Sequence, residues 1–160
     1  MQAVKLGAHE LAGFMKAHNV QGEILHLGVP TPTVEAAAQA VNASPEQIIK
    51  SILFMVDGQA VLAVACGKAS IERRAIADLY GVGKKQVKLA TPEMVLDISG
   101  YEVGAMPPFG HRQTLTTLID KRVLDSSESY AGGGAENALV RLNPQEILRV
   151  TDARVLDILE

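Results

Sequence analysis

The spacing of apolar side chains predicts a series of short helices along the chain. Leu11, Phe14, Met15 and His18 lie at the i, i+3, i+4 and i+7 positions of one helical face, which predicts a helix over residues 5–19. Elsewhere a capping residue precedes a helix-forming segment, which is how helices commonly begin. Such segments predict helices from Thr33 to Val41, from Ser70 to Tyr80, from Thr91 to Ser99 and from Asn143 to Thr151.

Runs of branched and aromatic residues predict the strands. The two most apolar runs, Ile48–Asp57 and Gln59–Ala65, meet at an Asp57-Gly58 pair, which is typical of a hairpin turn. Because both runs are apolar on both faces, we expect them at the centre of a sheet that is covered on each side. Further strands are predicted at Glu23–Val29, Gln113–Ile119, Arg122–Leu124 and Asn137–Leu142, whereas Arg154–Leu159 fits a strand or a short helix.

The order of these elements indicates an α/β (α+β) fold built on a mixed sheet. Hairpins produce antiparallel strand pairs, and helical crossovers produce parallel ones, and this chain offers both. Its 160 residues are 48% hydrophobic and 21% charged, which fits a globular protein with a full hydrophobic core. We therefore expect one domain over residues 1–160.

Composition also bounds the compartment and the partners. The sequence has no apolar run of 18 residues, and its first residues lack the apolar segment of a signal peptide, so no membrane association is expected. Cys66 is the single cysteine, which excludes an internal disulfide and suits a reducing compartment, and we expect a cytoplasmic protein. The net charge of −3 argues against a broad nucleic-acid-binding surface but permits a grip on one exposed RNA end.

The densest group of positive charges in this acidic chain lies in and after the third predicted helix. It comprises Arg73, Arg74, Lys84, Lys85 and Lys88. One interpretation is a solvated surface without a partner, which is what most charge clusters are. The other interpretation is local contact with phosphates, because clustered cations raise the local concentration of anions.

The segment Gly100–Arg112 (GYEVGAMPPFGHR) concentrates conformationally special residues. It holds three glycines and the adjacent Pro107 and Pro108. Glycine allows close backbone approach or positive φ, and proline fixes φ and removes a donor. The segment therefore predicts either a tight connection or a stiff loop whose remaining N–H groups point at a bound anion or carbonyl.

Lys50 is the most informative single residue, because it interrupts an apolar run that opens a buried strand. A lysine there is costly unless its ammonium reaches water or an anion. It either extends to solvent or supplies a point charge or desolvated base. His111, directly after a glycine, is a second candidate, whereas Cys66 follows a buried strand and is a weak candidate nucleophile.

The sequence lacks the motifs of several common metal, nucleophile and nucleotide sites. The sequence contains no His-x-x-x-His or Cys-x-x-Cys spacing, which argues against a zinc site. It also contains no Gly-x-Ser-x-Gly elbow, no Walker lysine and no complete dinucleotide fingerprint. We therefore expect neither a metal nor a cofactor.

Four features together resemble the YbaK/EbsC family of aminoacyl-tRNA deacylases. These are Lys50 at the start of an apolar strand, the loop GYEVGAMPPFG, the following Leu118-Ile119-Asp120 and the late AGGG. This family is related to the editing insertion domain of bacterial prolyl-tRNA synthetase. The resemblance runs from about Thr33 to Ile158.

The resemblance implies a compact domain whose mixed sheet is rolled towards a barrel with surrounding helices. It also implies hydrolysis of the ester that joins a wrong amino acid to the 3′ end of a tRNA, with tRNA for proline as the first candidate. In this family the lysine holds the terminal adenosine and phosphate, and Lys50 matches it. The glycine-rich loop matches Gly104, Pro108 and Gly110, whose backbone donors would position the ester carbonyl or the ribose.

The expected site is therefore centred on Lys50, Gly104 and Gly110 as catalytic residues. The expected substrate-binding residues are Ser51, Pro108, His111, Tyr130, Gly132 and Gly133. The expected partners are the 3′ end of a mischarged aminoacyl-tRNA and prolyl-tRNA synthetase, and the oligomeric state stays open.

Two departures from the family pattern bear on specificity. The loop carries Ala105 and Pro107 where the family usually has a glycine and a serine. Tyr130-Ala131-Gly132 stands where cysteine-specific relatives have Ser-Ala-Gly, so cysteine specificity is not expected. The altered loop leaves a second hypothesis open, a non-catalytic module that holds the tRNA acceptor end or a synthetase. A third is a hydrolase of small esters on the same scaffold.

Overall fold

The computed structural model describes residues 4–160, which form a long central hairpin, six further strands and five α-helices. The five α-helices within that range are α1 (Ala8–Ala17), α2 (Val34–Val41), α3 (Arg73–Tyr80), α4 (Pro92–Ser99) and α5 (Gln145–Thr151). The eight strands are β1 (Gly22–His26), β2 (Ile49–Val56), β3 (Gln59–Cys66), β4 (Val87–Leu89), β5 (Thr116–Asp120), β6 (Ser129–Gly132), β7 (Ala138–Leu142) and β8 (Arg154–Leu156). Short 3₁₀ turns cover Pro45–Gln47, Lys84–Gln86 and Lys121–Asp125.

The strands form two sheets. The larger has the order β4-β2-β3-β5-β8, with antiparallel β4/β2 and β2/β3 pairs and parallel β3/β5 and β5/β8 pairs. The smaller is antiparallel, in the order β1-β7-β6. A parallel bridge between Ile48 and Tyr130 joins the two sheets, but over residues 4–160 they do not close into a barrel. The mixed α/β fold is therefore confirmed, and its curvature stops short of closure.

The central position of the β2–β3 hairpin is confirmed. Asp57 and Gly58 adopt positive φ values of 47° and 85°, as a two-residue hairpin turn of the primed type requires. Helix α3 covers one face of the larger sheet, where Ile76 and Ala77 pack on alternate residues of β2 and β3. The other face packs against α1 and the segment that leads into β5.

Helices α2 and α4 follow their predicted capping signals. The Thr33 hydroxyl accepts the Ala36 N–H at 3.1 Å, and the Thr91 hydroxyl accepts the Met94 N–H at 3.2 Å. The predicted start of α3 at Ser70 is wrong. Helix α3 begins at Arg73, because the carboxylate of Glu72 accepts the N–H of Arg74 at 2.9 Å and caps the helix there.

Two strand predictions also needed correction. Arg122–Leu124 lies in a 3₁₀ turn rather than a strand, because the buried Asp120 carboxylate accepts the Arg122 N–H at 2.9 Å and turns the chain. Arg154–Leu159 contains a strand that is limited to Arg154–Leu156. Strands β4 and β6 were not predicted.

Within residues 4–160, the structure contains no helix that is long and apolar enough to span a membrane. The prediction that the chain has no signal peptide rests partly on residues 1–3, which lie outside the described residues, so it stays a prediction.

Candidate functional site

The site begins at the part of the β2 edge with which strand β4 does not pair. Strand β4 pairs with β2 only from Phe54 to Val56. Leu53 and Asp57 direct their backbone groups towards β4, where they bond to Ala90 and Gln86. Because strand residues alternate, the backbone N–H and C=O of Ser51 point to the same side, beyond the end of β4.

A cavity of about 270 Å³ lies against this edge. One wall is the start of β2, a second is the segment that enters α2, and a third is the loop after α4. Residues of the smaller sheet and of α2 form its apolar floor. The lining residues are Thr31–Val34, Ala37, Ile48–Ile52, Val103, Gly104, Met106, Gly132 and Leu139.

Lys50 lines this cavity and carries a positive charge. Its side chain is half-buried, and its ammonium donates a hydrogen bond to the carbonyl oxygen of Ala69. Burial lowers the pKa of Lys50, while the charges of Cys66 and Glu35 act in the opposite direction. Since the bond to Ala69 occupies one of the three N–H donors of an ammonium, the others remain available to an anion.

Ser51 is the neighbouring polar group, and its hydroxyl is buried. Its oxygen has no hydrogen-bond partner within residues 4–160. Leaving a buried hydroxyl unpaired costs about 1–3 kcal/mol, so such groups usually have a reason to persist. A ligand in the cavity would supply the missing partner, because Ser51 lines its wall.

The loop after α4 contributes backbone donors. Ala105 N–H donates to Glu102 O at 3.1 Å, which closes a turn with Gly104 at its third position, φ +89°. Among the described residues, the N–H groups of Gly104 and Met106 have no hydrogen-bond acceptor. Two unpaired amides therefore lie beside Lys50 and Ser51 on the cavity lining.

Strand β6 holds this loop in place. The Gly134 N–H donates to Ala105 O at 2.9 Å. A Cβ at Gly132 would lie 2.1 Å from the carbonyl oxygen of Met106, so the loop backbone rests directly on β6. Only glycine permits that contact, and it fixes the position of the loop relative to the cavity.

The other end of the same loop packs against helix α1 instead. Gly110 has φ +77°, and a Cβ there would lie 3.1 Å from Leu11 and 3.2 Å from Phe14. The Nε2–H of His111 donates to Pro107 O at 2.8 Å, and burial lowers the pKa of His111 to about 4. Gly110 and His111 do not line the cavity.

Three other predicted residues also lie outside the cavity lining. Pro108 is buried within the loop. Tyr130 is 8% exposed and packs in the apolar cluster that includes Ile48 and Leu139 beneath the cavity floor. Gly133 N–H donates to Ala138 O at 2.9 Å and belongs to the β6–β7 turn.

The structure thus brings together Lys50, Ser51, Gly104 and Gly132 on one cavity. Sequence reasoning missed Thr31, Val103 and Met106. Thr31 is buried, and its N–H donates to Glu136 O at 2.9 Å, which fixes the entry to α2. No local sequence pattern marks these residues, because their position depends on contacts between distant segments.

A larger cleft, of about 550 Å³, lies beside Gly67–Ala69. Its main cation, Arg122, is already paired with Asp120 at 2.9 Å and with Asp157. Burial raises the pKa of Cys66, which lines the same cleft, to about 11. Arg122 is therefore already neutralised by carboxylates and the Cys66 thiol stays protonated, so the smaller cavity at Lys50 is the better candidate.

The lining of this cavity includes Lys50, Ser51, Gly104 and Met106. These residues carry an ammonium, a hydroxyl and two backbone amides, and within residues 4–160 the hydroxyl and the amides have no hydrogen-bond partner. Such donors stabilise a negatively charged oxygen, and they do so most strongly where water is partly excluded. The arrangement suits a phosphate or a carbonyl on which negative charge develops.

Comparisons with known proteins identify similar sequences and structures. The family described as an aminoacyl-tRNA editing domain matches residues 29–150. A solved structure described as a candidate trans-editing enzyme for prolyl tRNA synthetase is 33% identical, with a TM-score of 0.88 and 96% coverage of both chains. An uncharacterised protein of Bacillus subtilis, YwhH, is 26% identical over 86% of each chain.

Proline–tRNA ligases are matched over a part of their length. That of Geobacillus sp. is 28% identical over 75% of this chain and 21% of the ligase. The chain therefore spans about a fifth of that enzyme.

Proposed function

Because the chain belongs to the aminoacyl-tRNA editing domain family, we propose that it hydrolyses the ester of mischarged aminoacyl-tRNA in trans. The first candidate substrate is tRNA for proline carrying a wrong amino acid, since relatives include proline–tRNA ligases and a candidate trans-editing enzyme for that synthetase. The products are free tRNA and the free amino acid.

The observation that carries the proposal is that Lys50, Ser51, Gly104 and Met106 line one cavity. Within residues 4–160, the Ser51 hydroxyl and the amides of Gly104 and Met106 have no hydrogen-bond partner. In the proposed complex, Lys50 binds the terminal phosphate or adenosine. The amides and the Ser51 hydroxyl donate to the ester carbonyl or the ribose.

The reaction itself needs little more than orientation. Water adds to the ester carbonyl carbon, the bond between that carbon and the ribose oxygen breaks, and the ribose oxygen takes up a proton. An aminoacyl ester is already activated, so holding it in a reactive geometry and stabilising the developing oxyanion supplies much of the rate enhancement.

The cavity favours a small side chain on the amino acid that is removed. Its volume of about 270 Å³ is shared with the ribose, and its floor is formed by Ala37, Ile48 and Leu139. A small apolar side chain fits that floor without leaving a polar group unpaired.

The test is release of labelled amino acid from tRNA for proline charged with alanine, cysteine or proline. We expect release from one mischarged species, and a decrease of about ten- to a hundredfold in Lys50→Ala, because the variant loses a hydrogen bond to a charged group of the substrate. Lys16→Ala is the matched control, because Lys16 is exposed on α1 away from the cavity lining. Unchanged release by Lys50→Ala would refute the role of Lys50.

A second candidate is a non-catalytic module that holds the acceptor end of tRNA or a synthetase. The observation that favours it is the loop itself, in which Ala105 and Pro107 are both buried in place of the usual glycine and serine. Tight binding of uncharged tRNA with no ester turnover across the panel would select this candidate.

A further inference from the structure

A group of positive side chains forms a surface that the cavity does not use. This basic surface consists of Arg73 and Arg74 on α3, Lys84 and Lys85 in the following 3₁₀ turn, and Lys88 on β4. All five side chains are exposed. Residues 71–89 contain five cations and two carboxylates, Glu72 and Asp78, in a chain whose net charge is −3.

The charges of the basic surface are not consumed by ion pairs. Within residues 4–160, none of its five cations lies within 4.0 Å of a carboxylate oxygen. Most lysines and arginines elsewhere do have such a partner. These paired residues are Lys5, Lys68, Lys121, Arg122, Arg141 and Arg149. The contrast leaves the basic surface as the main site of available positive charge.

The backbone beneath the basic surface is fixed by specific hydrogen bonds. Arg73 Nη1 donates to Val87 O at 3.2 Å and ties α3 to β4. The Gly83 N–H donates to Gln86 Oε1 at 2.7 Å, which closes the 3₁₀ turn. The Asp57 N–H donates to Gln86 O at 2.9 Å and anchors that turn to the hairpin. The cations are therefore displayed on a rigid support.

The basic surface and the cavity lie along the same edge of β2. Strand β4 occupies this edge beside Phe54–Val56, and the cavity occupies it beside Lys50 and Ser51. Lys88 lies opposite Met55, five residues from Lys50. At the rise of an extended strand this separation is about 17 Å.

We propose that the basic surface binds the phosphate backbone of the RNA whose 3′ end enters the cavity, an inference that rests on the proposed function. A ligand that leaves the cavity along the β2 edge meets β4 and the 3₁₀ turn next. Several unpaired cations at intervals suit a chain of phosphates, and the contacts carry no sequence information. The partner is the base-paired stem adjoining the aminoacylated end.

The first experiment measures binding of uncharged tRNA at a series of salt concentrations. We compare the wild type with Lys84→Glu/Lys85→Glu/Lys88→Glu and with a control of equal charge change, Lys5→Glu/Lys16→Glu/Lys121→Glu. The surface variant is expected to bind at least about tenfold more weakly. The slope of its log affinity against log salt concentration should be smaller in magnitude by about 2–3, because each duplex phosphate contact contributes about 0.9 to that slope. The control should keep the wild-type slope.

Circular dichroism and thermal unfolding establish that both variants fold. If the reversal variant does not fold, the neutral Lys84→Gln/Lys85→Gln/Lys88→Gln variant replaces it with the same expectation. A wild-type slope in the folded variant overturns the proposal, as does equal weakening in the control. Wild-type binding to anionic lipid vesicles but not to tRNA also overturns it.

The second experiment separates this proposal from the proposed function. If the chain deacylates mischarged tRNA, the surface variant should show a raised KM with unchanged kcat on full-length substrate. Its turnover of aminoacyl-adenosine, which has no stem, should equal that of the wild type. If the wild type releases no amino acid at all, the deacylase proposal fails, while the salt dependence of tRNA binding still decides the basic surface.

Discussion

Gly104 and Gly110 belong to one loop and have similar backbone conformations, with φ of 89° and 77°, yet their surroundings differ. A Cβ at Gly104 would meet no atom within 4 Å, whereas one at Gly110 would press on Leu11 and Phe14. Gly104 lines the cavity, and Gly110 lies beneath helix α1. The same residue type thus leaves space for a ligand at one end and permits core packing at the other.

This contrast between Gly104 and Gly110 shows that one glycine-rich loop can line a cavity at one end and pack against a helix at the other. At the cavity end, the N–H groups of Gly104 and Met106 have no hydrogen-bond acceptor within residues 4–160. At the helix end, the Tyr101 hydroxyl donates to Gly110 O at 3.1 Å and His111 bonds to Pro107. We therefore expect changes at the cavity end to affect activity, and changes at the helix end to affect stability.

The largest effect on stability is expected for Gly110→Ala. An alanine at positive φ costs about 1–2 kcal/mol, and crowding against Leu11 and Phe14 costs about 1–3 kcal/mol more. Urea unfolding should show a loss of about 2–5 kcal/mol. Gly13→Ala is the control, since a Cβ there meets nothing within 4 Å on helix α1 and alanine favours the helix. A Gly110→Ala protein as stable as the wild type would contradict the packing role.

The next effect is a dependence of stability on pH through His111. Its pKa is about 4 in the folded protein, below the ordinary value of about 6.5. Between these values the unfolded chain binds a proton that the folded chain does not. Stability should therefore fall by about 1–3 kcal/mol as the pH decreases from 6.5 to 4.

His111→Gln removes the titrating group while its amide can still donate to Pro107. Urea unfolding of this variant at several pH values should lack most of that decrease. His9→Gln, at an exposed position on α1, should keep it. An identical pH profile in wild type and His111→Gln would show that His111 does not titrate in this way.

Gly104→Ala should cost less stability and more activity. With no steric contact, only the strain of positive φ remains, about 1–2 kcal/mol. Gly58→Ala is matched to it, because Gly58 has φ +85° and equally open surroundings in the hairpin turn. Both variants should unfold alike in urea, and only Gly104→Ala should slow amino acid release from mischarged tRNA. Equal rates of amino acid release by Gly104→Ala and Gly58→Ala would show that Gly104 does not contribute to the reaction.

The smallest effect on stability is expected for Ser51→Ala. Removing an unpaired buried hydroxyl should leave stability unchanged or raise it by up to about 1 kcal/mol. Release of amino acid should fall about tenfold, the loss of one hydrogen bond to substrate. Ser129→Ala removes another buried hydroxyl that has no partner within residues 4–160; Ser129 does not line the cavity, so this variant should leave activity intact. If the two serine variants behaved alike, Ser51 would have no special role.

Much of the fold could be predicted because its signals are local. The hairpin at Asp57-Gly58 and the caps at Thr33 and Thr91 each depend on a few adjacent residues. Strands β4 and β6 were missed because neither has a strong local strand signal. Strand β4 has three residues and an exposed lysine at its centre, and β6 ends in glycine, so only pairing with β2 and β7 makes them strands.

The site was predictable only in part. Lys50 stands out because a charge interrupts an apolar strand, and that signal is local. The separation of Gly104 from Gly110 is not local, since it depends on which end of the loop helix α1 covers. Similarly, Thr31 and Met106 reach the cavity through contacts with Glu136 and Gly132, which are far away in sequence.

The buried thiol of Cys66 has a practical consequence for labelling. With a pKa of about 11, only about one molecule in ten thousand carries the reactive thiolate at pH 7. Maleimides and similar reagents should therefore leave the native chain almost unmodified. In a Val103→Cys variant, the new thiol would be at a position that is 61% exposed on the cavity lining. It would then carry a fluorophore at one defined position and test whether RNA reaches the cavity.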